Sequence, residues 1–246
     1  MSRLYLHEAE LYDIAFDWDI DGEADWLAAR LGGRSLLEPG CGRGRMLAAL
    51  ADRGFDVTGF DISEPMVALA RRRLDGRGVV VVADMIDFDL GRRFDGALCP
   101  INTLLHLTPA ELARHLDCVA RHAPRYLVQV GLLDPTSREQ FAGSHWEAAR
   151  GETRLKIDWI DEEVDFERLR SRQRSRIEVL AGPRRGDVLE EVHEMTLWTP
   201  TTWAAAVAAS PFEEVATYDG GTKGRWPRVD ADATGGLLWH ELVVAL

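Results

Sequence analysis

The chain has no cysteine framework. Its three cysteines, Cys41, Cys99 and Cys118, make neither an even-numbered set nor a Cys-x-x-Cys pair. That excludes a disulfide scaffold, and reduced thiols in a cytoplasmic protein are the expectation, with no metal site. Long apolar runs are missing as well. No segment is long enough to span a bilayer, and Met1–Glu10 holds no apolar core of signal-peptide length, so no membrane partner is expected. Positive charge is in deficit: a formal net charge of −12 argues against a phosphate-backbone binder, and nucleic acid is not an expected partner. Internal repeats and low-complexity tracts are also absent. What remains, 246 residues with 46% hydrophobic and 28% charged, is ordinary globular material with enough chain for a sizeable core. It reads as a single α/β domain over residues 1–246.

One further absence is informative. Ser35–Met46 reads as a short apolar strand (Leu36, Leu37) ending in Glu38, then a loop with glycines at 40, 42 and 44. A helix follows, with Met46, Leu47, Leu50 and Ala51 at helical spacing and Gly54 at its end. A strand feeding a glycine loop at a helix N-terminus is a nucleotide cradle, because missing Cβ atoms expose backbone N–H groups to the ligand. The dinucleotide fingerprint needs another glycine at position 45, where this chain has Arg45.

Strands and helices then alternate. A helix over 23–31 leads into the first strand. Asp56–Asp61 is a strand ending in an acid, and Ser63 caps a helix whose stripe is Met66, Leu69, Ala70 and Leu74. Val79–Val82 reads as a strand buried on both faces, Phe94–Cys99 as another, Thr108-Pro-Ala-Glu111 as a capping box, and Tyr126–Val130 as a fifth strand. This order predicts a parallel sheet with helices on both faces. From 153 to 198 the period changes to two. Antiparallel strands are expected over Arg154–Ile160, Val164–Leu180 and Val188–Trp198, with a turn at Gly182–Gly186. A helix (Thr201–Ala209) and strands Phe212–Tyr218 and Leu238–Ala245 close the chain. The loop Asp219–Gly236 is long enough to be functional or mobile.

Three features join the glycine loop. Asp61 ends the second strand, where an acid accepts hydrogen bonds from both ribose hydroxyls of a nucleoside. Asp84 follows the third strand, able to accept from an adenine amino group, and Met85 can pack on the ring. Cys99-Pro-Ile-Asn-Thr103 follows the fourth strand at the carboxyl edge, where α/β ligands bind. In order and at successive strand ends, this set resembles the class I S-adenosylmethionine (SAM) methyltransferases from about Tyr12 to Leu246. The resemblance implies a Rossmann-like seven-stranded, mostly parallel sheet whose last strand is antiparallel, with SAM as cofactor and S-adenosylhomocysteine as product. It carries Glu38, Gly40, Gly42 and Gly44 to the amino-acid part of SAM, Asp61 to the ribose, and Asp84 and Met85 to the adenine. Cys41, Ile62 and Cys99 adjoin the same site. For Cys41 and Cys99 packing is the expected role, not nucleophilic chemistry.

The Asn/Asp-Pro-Pro-Tyr/Phe signature of nucleic-acid amine methylation is absent after the fourth strand. The late antiparallel insertion looks like that of small-molecule methyltransferases such as the glycine and amino-sugar N-methyltransferases, which implies methyl transfer to N or O of a small molecule. In such relatives an N-terminal arm, here 1–22, closes over SAM and the insertion shapes the acceptor pocket or a homodimer contact. Tyr5, Tyr12 and Trp18 then have lid roles, or Tyr12, Phe16 and Trp18 pack as one helix face. His106 is a candidate base or a helix-terminal His, and Tyr12 a second catalytic candidate. His193, on the apolar side of its strand with Met195 and Leu197, is a buried satisfied His or a substrate contact, and Trp146 and Trp159 are open in the same way. Arg168, Arg170, Arg172, Arg174 and Arg176 alternate on one strand, forming either an anion or RNA platform or a ladder paired with Glu190, Glu194 and Asp158. Alternatives to small-molecule methylation are another SAM-using reaction, RNA methylation, or SAM binding without catalysis.

Overall fold

A computed structural model describes residues 7–134, 136, 143–221 and 224–245. The chain divides into two compact units, one built from the N-terminal segment to Asp19 with Pro135–Leu197, the other from Ile20–Asp134 with Trp198–Leu246.

The second unit holds the nucleotide-type sheet. After helix α1 (Ala9–Ala15), which belongs to the other unit, its elements are α2 (Asp21–Leu31), β1 (Ser35–Pro39), α3 (Arg45–Asp52), β2 (Asp56–Asp61), α4 (Glu64–Leu74), β3 (Gly78–Val82), β4 (Gly96–Cys99), α5 (Pro109–His122) and β5 (Arg125–Val130). Strands β6–β9 lie in the first unit. The chain then returns with α6 (Pro200–Ala208), β10 (Phe212–Asp219), β11 (Arg228–Val229) and β12 (Leu238–Val244). The strand order is β11-β10-β12-β5-β4-β1-β2-β3. Strands β1 to β5 run parallel, and β12 is antiparallel to both β5 and β10. The sheet therefore has eight strands rather than the expected seven, because the two-residue β11 adds an edge beyond β10.

Alternation along the strands sorts the two faces. Leu36, Val57, Leu98, Leu127 and Trp239 share a core with Leu27 of α2, Leu47 and Leu50 of α3, and Val67 and Leu74 of α4. The neighbouring positions point the other way, where Tyr126 meets His115 of α5. Helix starts follow the sequence signals. The Ser63 hydroxyl accepts from Met66 N–H at 3.4 Å, and Thr108 and Glu111 close a full capping box. Gly54 ends the turn after α3 with φ +83°. One strand reading needs correction. Val79–Val82 is not buried on both faces: β3 is the last strand of the sheet, so Val79 and Val82 are half exposed. The loop 219–236 is pinned along its described part, since Trp226 stacks on Trp26 at 5.6 Å, whose ring also carries the Arg30 guanidinium at 4.4 Å.

In the first unit β6 (Ser144–Arg150), β7 (Thr153–Asp165), β8 (Arg170–Ala181) and β9 (Val188–Thr196) form an antiparallel sheet in sequential order. Strand β6 lies ahead of the expected 153–198 span. The break expected before Val164 falls instead after Asp165, whose carboxylate accepts the N–H groups of Glu167 and Arg168, and Leu169 is left-handed with φ +52°. Asp tolerates such a local turn, which the period-two pattern could not show. Arg168 consequently sits in the turn, paired with Asp165 at 2.8 Å, and is not part of the strand ladder. Helix α1 lays Leu11, Ala15 and Phe16 on Leu155, Ile157, Ile177 and Val179 of this sheet.

Helix α3 is seated on β2 through a glycine. A Cβ at Gly59 would overlap Leu47 Cδ1 and lie 3.0 Å from Cys41 Sγ. Gly59→Ala is therefore expected to lower stability by about 1–3 kcal/mol in urea unfolding. An unchanged midpoint would contradict this packing.

Candidate functional site

The carboxyl ends of β1, β2, β3 and β4 lie side by side, and the residues singled out in the sequence sit on them. Gly40, Gly42 and Gly44 are all left-handed, with φ +64°, +52° and +71°. For Gly44 the space is also closed, since a Cβ would come 2.9 Å from Ala70 Cβ on α4. A Cβ at Gly40 would lie 2.9 Å from Thr103 Cγ2 and 3.8 Å from Met85 Cε, so the loop touches the turns after β4 and β3. At Gly42 nothing among the described residues stands within 4 Å of that position, leaving room for a ligand over the backbone.

Gly44 is the N-cap of α3 and has no side chain to satisfy the first-turn amides. Glu38 takes over, its carboxylate accepting from Leu47 N–H. Its other oxygen, Oε2, is buried without a hydrogen-bond partner among the described residues. Burial pushes the Glu38 carboxyl up to about 8 against the pull of Arg45. Asp61 ties β2 to the loop: Oδ2 accepts Gly42 N–H at 2.9 Å and Oδ1 accepts Ser63 N–H at 2.8 Å. Ile62 N–H is a further backbone donor to this carboxylate, which leaves about one of its roughly four acceptor positions for a ligand hydroxyl. Burial also raises the Asp61 carboxyl from its ordinary range, against these backbone donors. Ile62, next in the chain, is half exposed. Asp84 Oδ1 accepts Ile86 N–H at 3.0 Å, shaping the turn that carries Met85.

Two residues the sequence reading passed over hold that turn. His115 Nδ1 lies 2.8 Å from Met85 O and its Nε2 lies 2.8 Å from the Tyr126 hydroxyl. A carbonyl only accepts, so Nδ1 carries the hydrogen and Nε2 accepts from Tyr126. Both side chains are fully buried. Their signal in the sequence was a polar residue on the apolar stripe of α5 and in an apolar strand. Cys41 and Cys99 are buried, and burial raises both thiols, Cys99 to about 12, which disfavours the thiolate that nucleophilic attack would need.

The acceptor-side candidates fall in different places. His106 ends the 3-10 turn Thr103–His106 at the carboxyl edge and is exposed. Tyr12, Trp18, Trp146 and His193 belong to the first unit, where they gather around Phe16. Tyr12, Trp18, Trp146 and Trp159 lie 4.4, 5.5, 5.4 and 5.7 Å from it between ring centroids, and His193 stacks on Trp159 at 4.8 Å. Trp146 donates to Ala15 O at 2.7 Å, and His193 Nε2 meets Ser175 Oγ at 2.9 Å in a buried position. Tyr5 lies outside the described residues.

The fit of these groups to a cationic nucleoside amino acid rests on the lone Glu38 oxygen, the space over Gly42 and the remaining acceptor capacity of Asp61. The methyltransferase-domain family model matches residues 36–124, which span β1 to the end of α5. The dTDP-3-amino-3,6-dideoxy-alpha-D-glucopyranose N,N-dimethyltransferase of Streptomyces fradiae is 35% identical over 236 residues, covering 88% of each chain. The chain belongs to the SAM-dependent methyltransferases. Among solved structures, a sugar N-methyltransferase from Streptoalloteichus is 27% identical with a TM-score of 0.75, over 96% of this chain and 92% of that one. An amino pentose methyltransferase from Micromonospora echinaspora, solved with SAM bound, shares the fold at 23% identity and TM-score 0.74 over 98% of both chains. The methyltransferase thus has the class I architecture with a small-molecule layout, and SAM as its cofactor.

Two pH effects follow for this methyltransferase. With the Glu38 carboxyl raised to about 8, it is protonated at pH 7 until a cation lies beside it. SAM binding at pH 7 is expected to release about one proton through Glu38, seen by calorimetry in buffers of different ionisation enthalpy, and Glu38→Gln abolishes that release. His115 is held down to about 4 by burial, so below its unfolded value of 6.5 only the unfolded chain takes up the proton. The His115 contribution to stability should fall by about 3 kcal/mol between those two values, while the raised Glu38 carboxyl contributes in the opposite sense. The effect is therefore read as the difference in stability between wild type and His115→Gln across that pH range.

Proposed function

We propose that this methyltransferase transfers methyl groups to the amino nitrogen of a nucleotide-linked deoxy amino sugar in the cytoplasm. The observation that carries the reading is the 35% identity to the Streptomyces fradiae sugar N,N-dimethyltransferase, over 88% of both chains. The sugar N-methyltransferase from Streptoalloteichus supports it, at 27% identity over 96% of this chain.

In this reading Glu38 and the loop of Gly40, Gly42 and Gly44 hold the amino-acid end of SAM, Asp61 its ribose, and Asp84, Met85 and Ile62 its adenine, with Cys41 and Cys99 packed beneath. Bound SAM supplies a methyl made electrophilic by its sulfonium. The protein's task is to present a neutral amine in line with that methyl and to keep water out. The amine must lose a proton to act as nucleophile, and His106 at the carboxyl edge is the base assigned to it. Tyr12, Trp18 and Trp146 form an aromatic surface around Phe16 of a kind that stacks on sugar and base faces, while His193 orders that surface through Trp159 and Ser175.

An RNA substrate finds little support. Arg174 is paired with Glu162 at 2.5 Å and Glu190 at 3.8 Å, and Arg176 with Glu178 at 2.8 Å and Glu190 at 3.3 Å. These guanidiniums are already neutralised by carboxylates of the same sheet.

The test is incubation with SAM and dTDP-linked 3-amino-3,6-dideoxyglucose, followed by product mass and fragmentation. A gain of one or two methyl groups on nitrogen, with matching S-adenosylhomocysteine, is expected. Methylation on oxygen, or turnover of an acceptor without an amine in preference to this one, overturns the assignment. Asp61→Ala should weaken S-adenosylhomocysteine binding by about tenfold or more, since it removes a charge-assisted ribose contact.

A further inference from the structure

The turn that follows β4 is strained. Ile101 and Asn102 are consecutive left-handed residues, with φ +57° and +56°. Asparagine tolerates that conformation, but a β-branched isoleucine does so only when its surroundings enforce it. The enforcement comes from one buried side chain. Gln129 of β5 accepts Ile101 N–H on Oε1 at 2.8 Å, and its backbone carbonyl accepts Asn102 N–H at 3.1 Å. With Oε1 committed, the amide nitrogen faces Glu23 of α2 and donates to Glu23 Oε1 at 3.3 Å. The same carboxylate oxygen accepts Trp239 Nε1 at 3.0 Å. On the far side of the turn, Asn102 Oδ1 accepts Gly131 N–H at 2.7 Å. Thr103, the next residue, brings Cγ2 to 2.9 Å from where a Cβ of Gly40 would stand, so the turn and the glycine loop are fitted to one another.

We propose that Gln129 and Glu23 are positioning residues of the methyltransferase, locking the strained Ile101–Asn102 turn as a wall of the SAM site. The inference rests on the assignment of the glycine loop to SAM made above. Neither residue touches the cofactor position directly. Gln129 sets the backbone of the turn, and Glu23 sets the orientation of the Gln129 amide. The charged groups that bear on this pair are Glu23 itself, Arg45 of α3, and Glu38, which Arg45 also faces. Burial raises the Glu23 carboxyl against the donors around it.

The test exploits an isosteric exchange. In Gln129→Glu a protonated carboxyl still accepts Ile101 N–H and donates to Glu23, whereas the ionised form sets two carboxylates against each other. Affinity for S-adenosylhomocysteine is measured by calorimetry at about pH 5.5 and about pH 8.5, and divided by the wild-type value at each pH to cancel the Glu38 titration. Gln129→Glu should bind within about twofold of wild type at the lower pH and about tenfold more weakly at the higher, while Gln129→Ala should be about tenfold weaker at both. Hydrogen exchange at the Ile101 and Asn102 amides of the free protein should accelerate in the same conditions. A pH-independent ratio for Gln129→Glu, or wild-type affinity and protection in Gln129→Ala, overturns the proposal. If wild type itself does not bind S-adenosylhomocysteine, the SAM-site assignment fails. The exchange measurement, which needs no ligand, still judges the lock.

Discussion

Helix α3 begins at a residue with no side chain, and its first-turn amides need an acceptor from elsewhere in the fold. Glu38 supplies it from the end of β1, through Leu47 N–H, and in doing so is left buried with one oxygen lacking a partner. Much of the site depends on that exchange. Gly44 gives up its capping side chain because α4 passes too close for a Cβ. The loop between stays left-handed and open, and Asp61 reaches across from β2 to hold Gly42. A carboxylate in that position is costly to keep ionised, so the cap that holds α3 also leaves a buried acidic oxygen facing no donor among the described residues.

The surrounding strand ends are organised by buried polar side chains and not by apolar packing alone. His115 and Tyr126 fix the Met85 carbonyl from one face of the sheet, and Gln129 with Glu23 fixes the Ile101–Asn102 turn from the other. Each chain of donors and acceptors is satisfied along its length, which is the condition under which buried polar groups stiffen a site. In the other unit aromatic contact takes that place: Phe16 is the hub for Tyr12, Trp18, Trp146 and Trp159.

The parallel sheet was legible because its signals are local. Asp56–Asp61 is a strand over the residues expected, and Ser63 and Thr108 start their helices as their side chains require. Errors arose where neighbours decide. Four valines at 79–82 look the same whether a strand is central or last, and only the strand order exposes Val79 and Val82. The break at Phe166–Leu169 hid inside an unbroken alternation because Asp165 makes the turn with its own carboxylate. β6 was missed since Ser144–Arg150 is polar on much of both faces.

The sequence by itself determined the alternating strands and helices of the parallel sheet, the glycine loop, and the acids at successive strand ends, since periodicity, capping and missing Cβ atoms act within a few residues. Tertiary structure decided which buried groups are left with something to do. His115, Gln129 and Glu23 carry no motif, and Tyr12, Trp146 and His193 each read as core or as site. Their roles are set by partners distant in the chain: Met85 for His115, Ile101 and Glu23 for Gln129, Ala15 for Trp146. A hydrogen bond needs its partner within about 3 Å, and only the folded chain brings such partners together.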